Sequence, residues 1–443
     1  AKESYDQIIL HTQAVADYLK MENPTNLFTR NPHRASGVFP IIRGLIGDMI
    51  GPKSPMPIMD LRNGKDELQF LKRNDLEELS TRGTASPDHV IRIKGRPLVL
   101  RESVWSQGRE AIKEELDKYA EEYKAMFERQ APQADQPKTM LPTDPKNIWM
   151  EGIGLIGLGA NAKAASIAGD LVVQNARVRA IGEDAGGFRP ISEKDLFDCE
   201  YWSLEQAKLG KGAPPKFQGK VVMITGGSGT IGFAIAKAFS KLGAQTILVD
   251  KDEIALKESV TKLGVGHKYF PIDVTHSDAA NQALLAAINN FGGLDILISN
   301  AGAAHAGPML DISNEELRNA FELNFFSHYS FSTEAAKILK DQNRGGQILF
   351  NISKQAVNPG KNFGAYGLPK ATTFFLMRQL ALELGSDGIR VNGINADRIR
   401  SGLLTDDFIS SRAKSRGVSE SEYMAGNLLN KEVTAEHVAD AFT

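Results

Sequence analysis

Three residues in the stretch SKQAVNPGKNFGAYGLPK, residues 353–370, are of types that can move a proton: Ser353, Tyr366 and Lys370. Tyr366 and Lys370 are four positions apart, so on a helix they share one face, about one turn apart. An ammonium beside a phenol favours the phenolate, and a nearby opposite charge lowers a pKa by roughly 1 to 3 from a free value near 10. Such a shift would make Tyr366 a general acid/base near neutral pH. Ser353, expected at the end of the preceding strand, is placed to hydrogen-bond a substrate oxygen. Taken alone, the pair is also what any amphipathic helix can present to solvent, so the rest of the sequence must decide.

A cofactor site is the first corroboration to seek. In KVVMITGGSGTIGFAIAKAF, residues 220–239, a glycine cluster stands between a predicted strand and a predicted helix. There a tight turn can aim backbone N–H groups at a pyrophosphate. Gly226, Gly229 and Gly232 are the candidate cradle, with Ser228, Thr230 and Ile231 in the same turn. The next strand ends in Asp250, where a carboxylate can accept hydrogen bonds from an adenosine ribose and would repel a 2'-phosphate, which favours NAD over NADP. Lys251 beside it pulls the other way. A second cluster, EGIGLIGLGANAKAASIAGDL, also has the GxGxxG spacing through Gly152, Gly154 and Gly157. No β-rich strand with a terminal acid follows it at the required distance, so a packing or turn role is expected there.

These residues need a scaffold, and the sequence after Lys220 supplies one. KVVMIT, QTILVD, LDILIS, GQILFNIS and IRVNGIN are short apolar runs rich in β-branched residues, as in strands buried on both faces of a parallel sheet. Helical stretches alternate with them, as in IGFAIAKAFSKLG, where Ile231, Ile235, Phe239 and Leu242 repeat at helical spacing. Alternation of this kind implies an α/β, Rossmann-like doubly wound sheet. Before it, the pattern predicts a strand pair at 89–100, a long charged helix from about Ser103 to Phe127, a proline-marked loop, and strand then helix over 148–175. The Gly-, Pro- and Lys-rich KLGKGAPPKFQGK reads as a connector, so the expected division is 1–210, a linker at 211–219, and 220–443.

Composition narrows the function class. Among 443 residues, 52 Lys and Arg nearly balance 54 Asp and Glu for a net charge of −2, which offers no broad attraction for nucleic acid or an anionic membrane. Cys199 is the only cysteine, so an intrachain disulfide is impossible and a reducing, cytoplasmic setting is expected. No apolar run approaches the ~20 residues of a membrane-spanning helix. A small-molecule substrate is the expectation.

From Lys220 onward the chain resembles the short-chain dehydrogenase/reductase family, on four motifs in order: TGGSGTIG, the SNAG at 299–302, Asn324 in ELNFF, and Ser353 followed by YGLPK. The resemblance implies NAD-dependent oxidoreductase activity with Ser353, Tyr366 and Lys370 as catalytic residues. It gives Lys370 a contact with the nicotinamide ribose and Asn324 the task of holding a water in a proton relay. It also places Asp273 and Val274 at the adenine and Asn300 beside the cofactor; Asp273 is equally suited to cap a strand end. His305 would lie in a loop near the mouth of the site, against substrate or in solvent. Two departures stand out: Thr230 occupies a position where many members have glycine, and NADRIRSGL replaces a Pro-Gly turn. In it, Arg398 and Arg400 either reach an anionic group or face solvent.

Across nearly the whole chain, STRGTASPDHVIRIKGRPLVL, GLIGLGANAKAASIAGDL, DLFDCEYWSLEQAKLGK and FNISKQAVNPGKNFGAYGLPKA resemble the later part of bifunctional rhamnulose-1-phosphate aldolase/lactaldehyde dehydrogenases. That resemblance implies a partial class II aldolase-like first domain, lactaldehyde as a possible substrate, and a homodimer or tetramer. A zinc-dependent aldolase needs a histidine cluster with a carboxylate. Only His89 matches a plausible ligand position, and His11 and His33 lack the spacing, so no metal site and no aldolase activity are expected of these residues. The family pattern also leads one to expect sequence before Ala1 and one more strand after Thr443. Two alternative readings are an aldolase with an accessory dehydrogenase module and a non-catalytic NAD-sensing domain.

Overall fold

In the computed structural model, which describes residues 37–52, 54–207, 212–304 and 306–443, helix α1 (Phe39–Ile50) leads into a mixed four-stranded sheet of order β1-β4-β3-β2. Strand β1 (Ile58–Arg62) is followed by helix α2 (Pro87–Ile93), where a strand had been expected. Pro87 just inside the start pre-sets a helical φ. Val90 and Ile93, three apart, then bury one helical face, which overrides the β-branched character of the stretch. Only the second half of the expected pair is a strand, β2 (Leu98–Leu100). The charged helix α3 (Arg109–Gln130) follows, separated by Gly108 at φ +90° from the short turn of helix Glu102–Trp105.

Strands β3 (Asn147–Met150) and β4 (Gly154–Gly159) complete the sheet, β4 antiparallel to both β1 and β3. Helix α4 (Ala162–Asp184) lies against β4, its first turn capped by the Asn161 side chain, which accepts from the Ala164 N–H. The second glycine cluster makes this contact possible: a Cβ on Gly157 would fall 2.2 Å from the Gly169 nitrogen. Gly157 thus packs a helix onto an antiparallel strand, and Gly154 packs that strand against β1 and Asn63, tasks different from cradling a phosphate. Helix α5 (Glu193–Glu200) closes this part of the chain.

The second sheet has six parallel strands in the order β10-β9-β8-β5-β6-β7. They are β5 (Val221–Thr225), β6 (Gln245–Asp250), β7 (Lys268–Pro271), β8 (Ile296–Ser299), β9 (Gly346–Asn351) and β10 (Ile389–Ile394). Helices α6 (Thr230–Lys241), α7 (Ala279–Phe291), α8 (Ser327–Gln342) and α9 (Gly364–Leu384), with the helix Glu253–Leu263 between β6 and β7, connect them, and α10 (Asp406–Arg416) and α11 (Ala435–Phe442) follow. The strand order reverses between β5 and β8, which opens a crevice at their carboxyl ends where α/β sheets bind ligands.

One hydrophobic core runs through both sheets, with Phe39, Ile42, Met59 and Ile156 in the same cluster as Ala283, Phe291, Phe331 and Leu339. At its centre Arg43 is fully buried. Its guanidinium donates to the Pro57 carbonyl at 2.8 Å, Gly219 carbonyl at 2.8 Å, Gln342 Oε1 at 2.9 Å and Asp295 Oδ2 at 2.7 Å. Burial works against the Asp295 carboxylate, but Arg43 and Lys220 beside it outweigh that cost and hold its pKa below the ordinary value. Removing one partner of a buried pair leaves the other uncompensated, at about 3–5 kcal/mol. Arg43→Met is therefore expected to lower the unfolding free energy by about that much in urea, with tryptophan fluorescence and far-ultraviolet dichroism moving together. A change under 1 kcal/mol would show that the sheets are held without this contact.

Candidate active site

Strand β9 ends at Asn351, and Ser353 caps the single turn that follows, its Oγ accepting from the Gln355 N–H at 3.2 Å. After the Asn-Pro-Gly loop the chain enters α9, which places Tyr366 in its first turn and Lys370 one turn on. All three are buried, and the Ser353 hydroxyl lies within hydrogen-bonding reach of the Tyr366 phenol. The residues singled out for proton transfer thus come together at the end of β9.

Lys370 is only 2% exposed and needs partners. Its Nζ donates to the Asn351 carbonyl at 3.3 Å and lies 3.3 Å from His328 Nε2. His328 is itself buried, with Nδ1 2.6 Å from Ser299 Oγ. Burial, reinforced by the charge of Lys370, holds the imidazole pKa well below its ordinary value, so the ring is neutral and can accept from the ammonium through Nε2. Sequence reading passed over His328. The available signal was its spacing, four residues after Asn324 at the start of the same helix.

Asn324 lies in a π-helical segment, Glu322–Phe326, between the helical turn Asn314–Phe321 and α8. Its amide donates to the Ala303 and Ala320 carbonyls, at 3.0 and 3.1 Å, while its buried Oδ1 has no partner. A Cβ on Gly302 would fall 2.8 Å from that oxygen and 3.3 Å from Lys370 Nζ, so glycine keeps a polar gap open between them. A π segment inside an α-helix often marks a functional position, and this one leaves a buried amide oxygen beside Gly302.

The electrostatics reverse one expectation. Burial pushes the Tyr366 phenol up, with the Ser353 hydrogen bond only partly offsetting it. Burial also pulls Lys370 down to about 7, so at neutral pH it carries only part of a charge, and its Nζ stands 5.9 Å from the centre of the tyrosine ring. Spacing alone predicted a phenol lowered by a full ammonium. In the folded chain desolvation sets the direction of the shift, opposed only by the Ser353 hydrogen bond.

These side chains form one wall of a cavity of about 820 Å³. Its far end is lined by Gly226, Gly229, Thr230, Ile231, Gly232, Asp250, Asp273, Val274 and Asn300. Gly226 has φ +64°, and a Cβ on Gly232 would fall 2.1 Å from the Gly226 carbonyl oxygen, so both positions require glycine. Gly229 is the residue before the first turn of α6, whose free N–H groups face the cradle. Thr230 lines the same end of the cavity and is exposed. Ser228 braces the acid: its Oγ donates to Asp250 Oδ2 at 2.7 Å, its N–H to the same oxygen at 3.2 Å. Asn300 donates to the Thr225 carbonyl at 2.9 Å and accepts from Asn351 at 2.9 Å, tying the glycine turn to β9. Asp273 caps a turn, accepting from the Thr275 N–H and hydroxyl, and the first of these bonds holds its pKa low. The glycine cradle, the free helix N-terminus and the acid at the end of β6 fit a dinucleotide.

Arg398 lines this cavity and Arg400 does not. Arg400 pairs with Asp406 at 2.7 Å and Glu432 at 2.8 Å on the surface. His89 is buried in α2 with Nδ1 2.7 Å from Ser86 Oγ. His11, His33 and His305 lie outside the described residues. Among the described residues no three His, Cys, Asp or Glu side chains converge, and no helix is long and apolar enough to cross a membrane.

Comparison with known proteins finds two families along the chain. Residues 33–209 match the family described as aldolase class II, second domain, and residues 220–408 match the short chain dehydrogenase family. The uncharacterized oxidoreductase YuxG of Bacillus subtilis (strain 168) is 30% identical over 423 residues, 92% of this chain and 60% of that protein. The chain therefore spans 60% of the length of the relative it matches from end to end. General stress protein 39 of the same organism is 34% identical over 206 residues, 45% of this chain and 70% of that protein. Secoisolariciresinol dehydrogenase of Forsythia intermedia is 30% identical over 235 residues, 51% of this chain and 82% of that protein.

The depressed Lys370 pKa has a consequence for stability. Between about 7 and the ordinary 10.5 the unfolded chain binds the extra proton, so this group favours unfolding at neutral pH and ceases to do so as pH rises through that window. Without cofactor, the parent protein is expected to gain about 1 kcal/mol per pH unit relative to Lys370→Met between pH 7 and 9. Urea unfolding of both proteins at the two pH values measures it. Parallel curves would mean that Lys370 is ordinarily solvated.

Proposed function

The chain belongs to the short-chain dehydrogenase family, with a class II aldolase second domain ahead of it, and on that premise we propose that it is an NAD-dependent oxidoreductase acting on a small hydroxy or aldehyde substrate. The observation that carries this reading is the convergence of Ser353, Tyr366 and Lys370 on one wall of a cavity that ends at the glycine turn, with the buried Asn324 beside the lining residue Gly302. The resemblance stated for the whole chain makes lactaldehyde a substrate to test first.

The glycine turn and the N-terminus of α6 would hold the pyrophosphate, Asp250 the adenosine ribose, and Lys370 the nicotinamide ribose. Asp250, kept in place by Ser228, favours NAD by repelling a 2'-phosphate; Lys251 beside it weakens that preference. When bound, the nicotinamide supplies the acceptor or donor of the hydride. Ser353 positions the substrate oxygen by hydrogen bonding. Tyr366 exchanges the proton at that oxygen, giving it during reduction and taking it during oxidation of an alcohol or an aldehyde hydrate. Lys370, fixed by Asn351 and His328, stabilises the phenolate, and the unpartnered Asn324 Oδ1 is suited to hold a water that passes the proton outward. A phenol pushed up by burial is poised as an acid, so reduction is the direction the resting protonation state favours.

Residues 1–210 act in this reading as a structural domain, supported by the core they share with the second sheet. A homo-oligomer is supported by an apolar stripe on α9: Leu368, Phe375 and Leu382, seven residues apart, are 47%, 63% and 81% exposed. The compartment is taken to be cytoplasmic, consistent with a chain that has a single cysteine.

The test is NADH absorbance on mixing the protein with NAD or NADP and small hydroxyaldehydes, polyols and sugar acids. Tyr366→Phe is expected to lower turnover by about 10²- to 10⁴-fold while leaving the NADH dissociation constant within a few-fold. Because the Tyr366 phenol is raised, alcohol oxidation should accelerate as pH climbs from neutral to alkaline, and carbonyl reduction should slow. Full activity in Tyr366→Phe, or opposite pH trends, would remove this residue from the reaction.

A further inference from the structure

We propose that the substrate of this site carries an anionic group, a carboxylate or a phosphate ester, and that Arg412 with Arg416 receives it. This rests on the oxidoreductase reading and names an anionic substrate class in place of lactaldehyde, which is uncharged. Both arginines project from α10 and line the cavity, as does Arg398.

Arg412 is the central observation. Its guanidinium carbon lies 5.3 Å from the Phe363 ring and 5.9 Å from the Phe408 ring, the two rings meeting edge to face. Phe363 is three residues before Tyr366, which puts the arginine beside the reacting end of the cavity. Among the described residues Arg412 makes no ion pair, and its Nε is buried without a partner. A buried donor left unmatched is costly, and a flat cation between aromatic rings is held ready for a planar or tetrahedral anion.

The surroundings reinforce the charge. Arg416, one turn on, and Arg398 lie against the Tyr423 ring, at 5.2 and 4.5 Å, and Arg398 donates to the Tyr423 and Gly426 carbonyls. The single carboxylate lining this end, Asp397, already pairs with Lys354 at 2.6 Å. Among the described residues, three arginines therefore face the cavity with no unpaired acid lining this end to balance them. The glycine end carries the opposite balance, Asp250 and Asp273 against Lys251. A cavity polarised in this way draws a dinucleotide's ribose hydroxyls to one end and an anion to the other. A neutral polyol hydroxyl could accept from the Arg412 Nε but would leave the charge of the guanidinium unbalanced.

The experiment uses the full chain carrying Tyr366→Phe and saturated with NAD, so that binding is read without turnover. D-glycerate, glycerol 3-phosphate and glycerol are titrated by calorimetry at fixed ionic strength. At least one anion is expected to bind tenfold or more tightly than glycerol, and Arg412→Met to weaken it by about 10- to 100-fold, with Arg412→Lys in between. Preference for glycerate identifies a carboxylate site and preference for the ester a phosphate site. Equal binding of all three, or no saturable anion binding, overturns the proposal. So does an Arg412→Met protein that loses NAD affinity by the same factor, because the arginine would then serve the cofactor's phosphates. Full turnover in the Tyr366→Phe protein would sink the catalytic reading alone and leave the anion titration to be judged by its own outcome.

Discussion

A lysine ammonium enclosed by protein is the constraint around which the catalytic end of this molecule is arranged. Removing a cation from water costs several kcal/mol unless its hydrogens find acceptors, and the surroundings of Lys370 supply them. The Asn351 carbonyl comes from the last residue of β9, and His328 Nε2 from the first turn of α8, its ring held in turn by Ser299 at the end of β8. Asn324 adds an unpartnered oxygen from a π-helical turn. Three strands or helices must end within a few ångströms of each other for this cradle to exist. The burial that requires such partners also lowers the lysine and raises the tyrosine, leaving the lysine between charge states and the phenol protonated at neutral pH.

A second buried cation ties the other half of the chain to this one. Arg43 reaches from α1 to Asp295, just before β8, and to the Gly219 carbonyl, just before β5. Those two strands flank the crevice. Fixing their approach segments from outside the second sheet gives the first domain a physical part in the site without a side chain in the cavity. Asn300, just after β8, then transmits the register of that strand to the glycine turn and to Asn351.

Local features carried most of what the sequence could reveal. The alternation of apolar runs and helices, the glycine turn before α6 and the Tyr366–Lys370 spacing are all encoded within a few residues, and the structure brings them to one cavity. Features decided by distant neighbours were not legible. Strand β7, KYFP, is a half-exposed edge with no run of buried residues to mark it. Helix α2 looked like a strand because its β-branched residues were read without the burial that selects a helical face. His328 becomes significant only when α8 and α9 pack, and the direction of the Tyr366 shift follows from desolvation, which spacing does not contain. The two arginines of NADRIRSGL looked equivalent until Arg400 proved to be paired on the surface and Arg398 to face the cavity. Arg412 gave no sequence signal, since its meaning lies in the rings of Phe363 and Phe408 and in the absence of an acid.

The central claim is that burial, rather than a full ammonium beside the ring, sets the protonation state of the tyrosine in the cofactor-free protein. The direct measurement is the tyrosinate absorbance titration of the parent protein minus that of Tyr366→Phe. The account predicts that the difference, which reports this one phenol, appears only above the ordinary tyrosine value near 10. A difference signal that titrates below that value would contradict it and restore the picture in which Lys370 stays fully charged and pulls the phenol down.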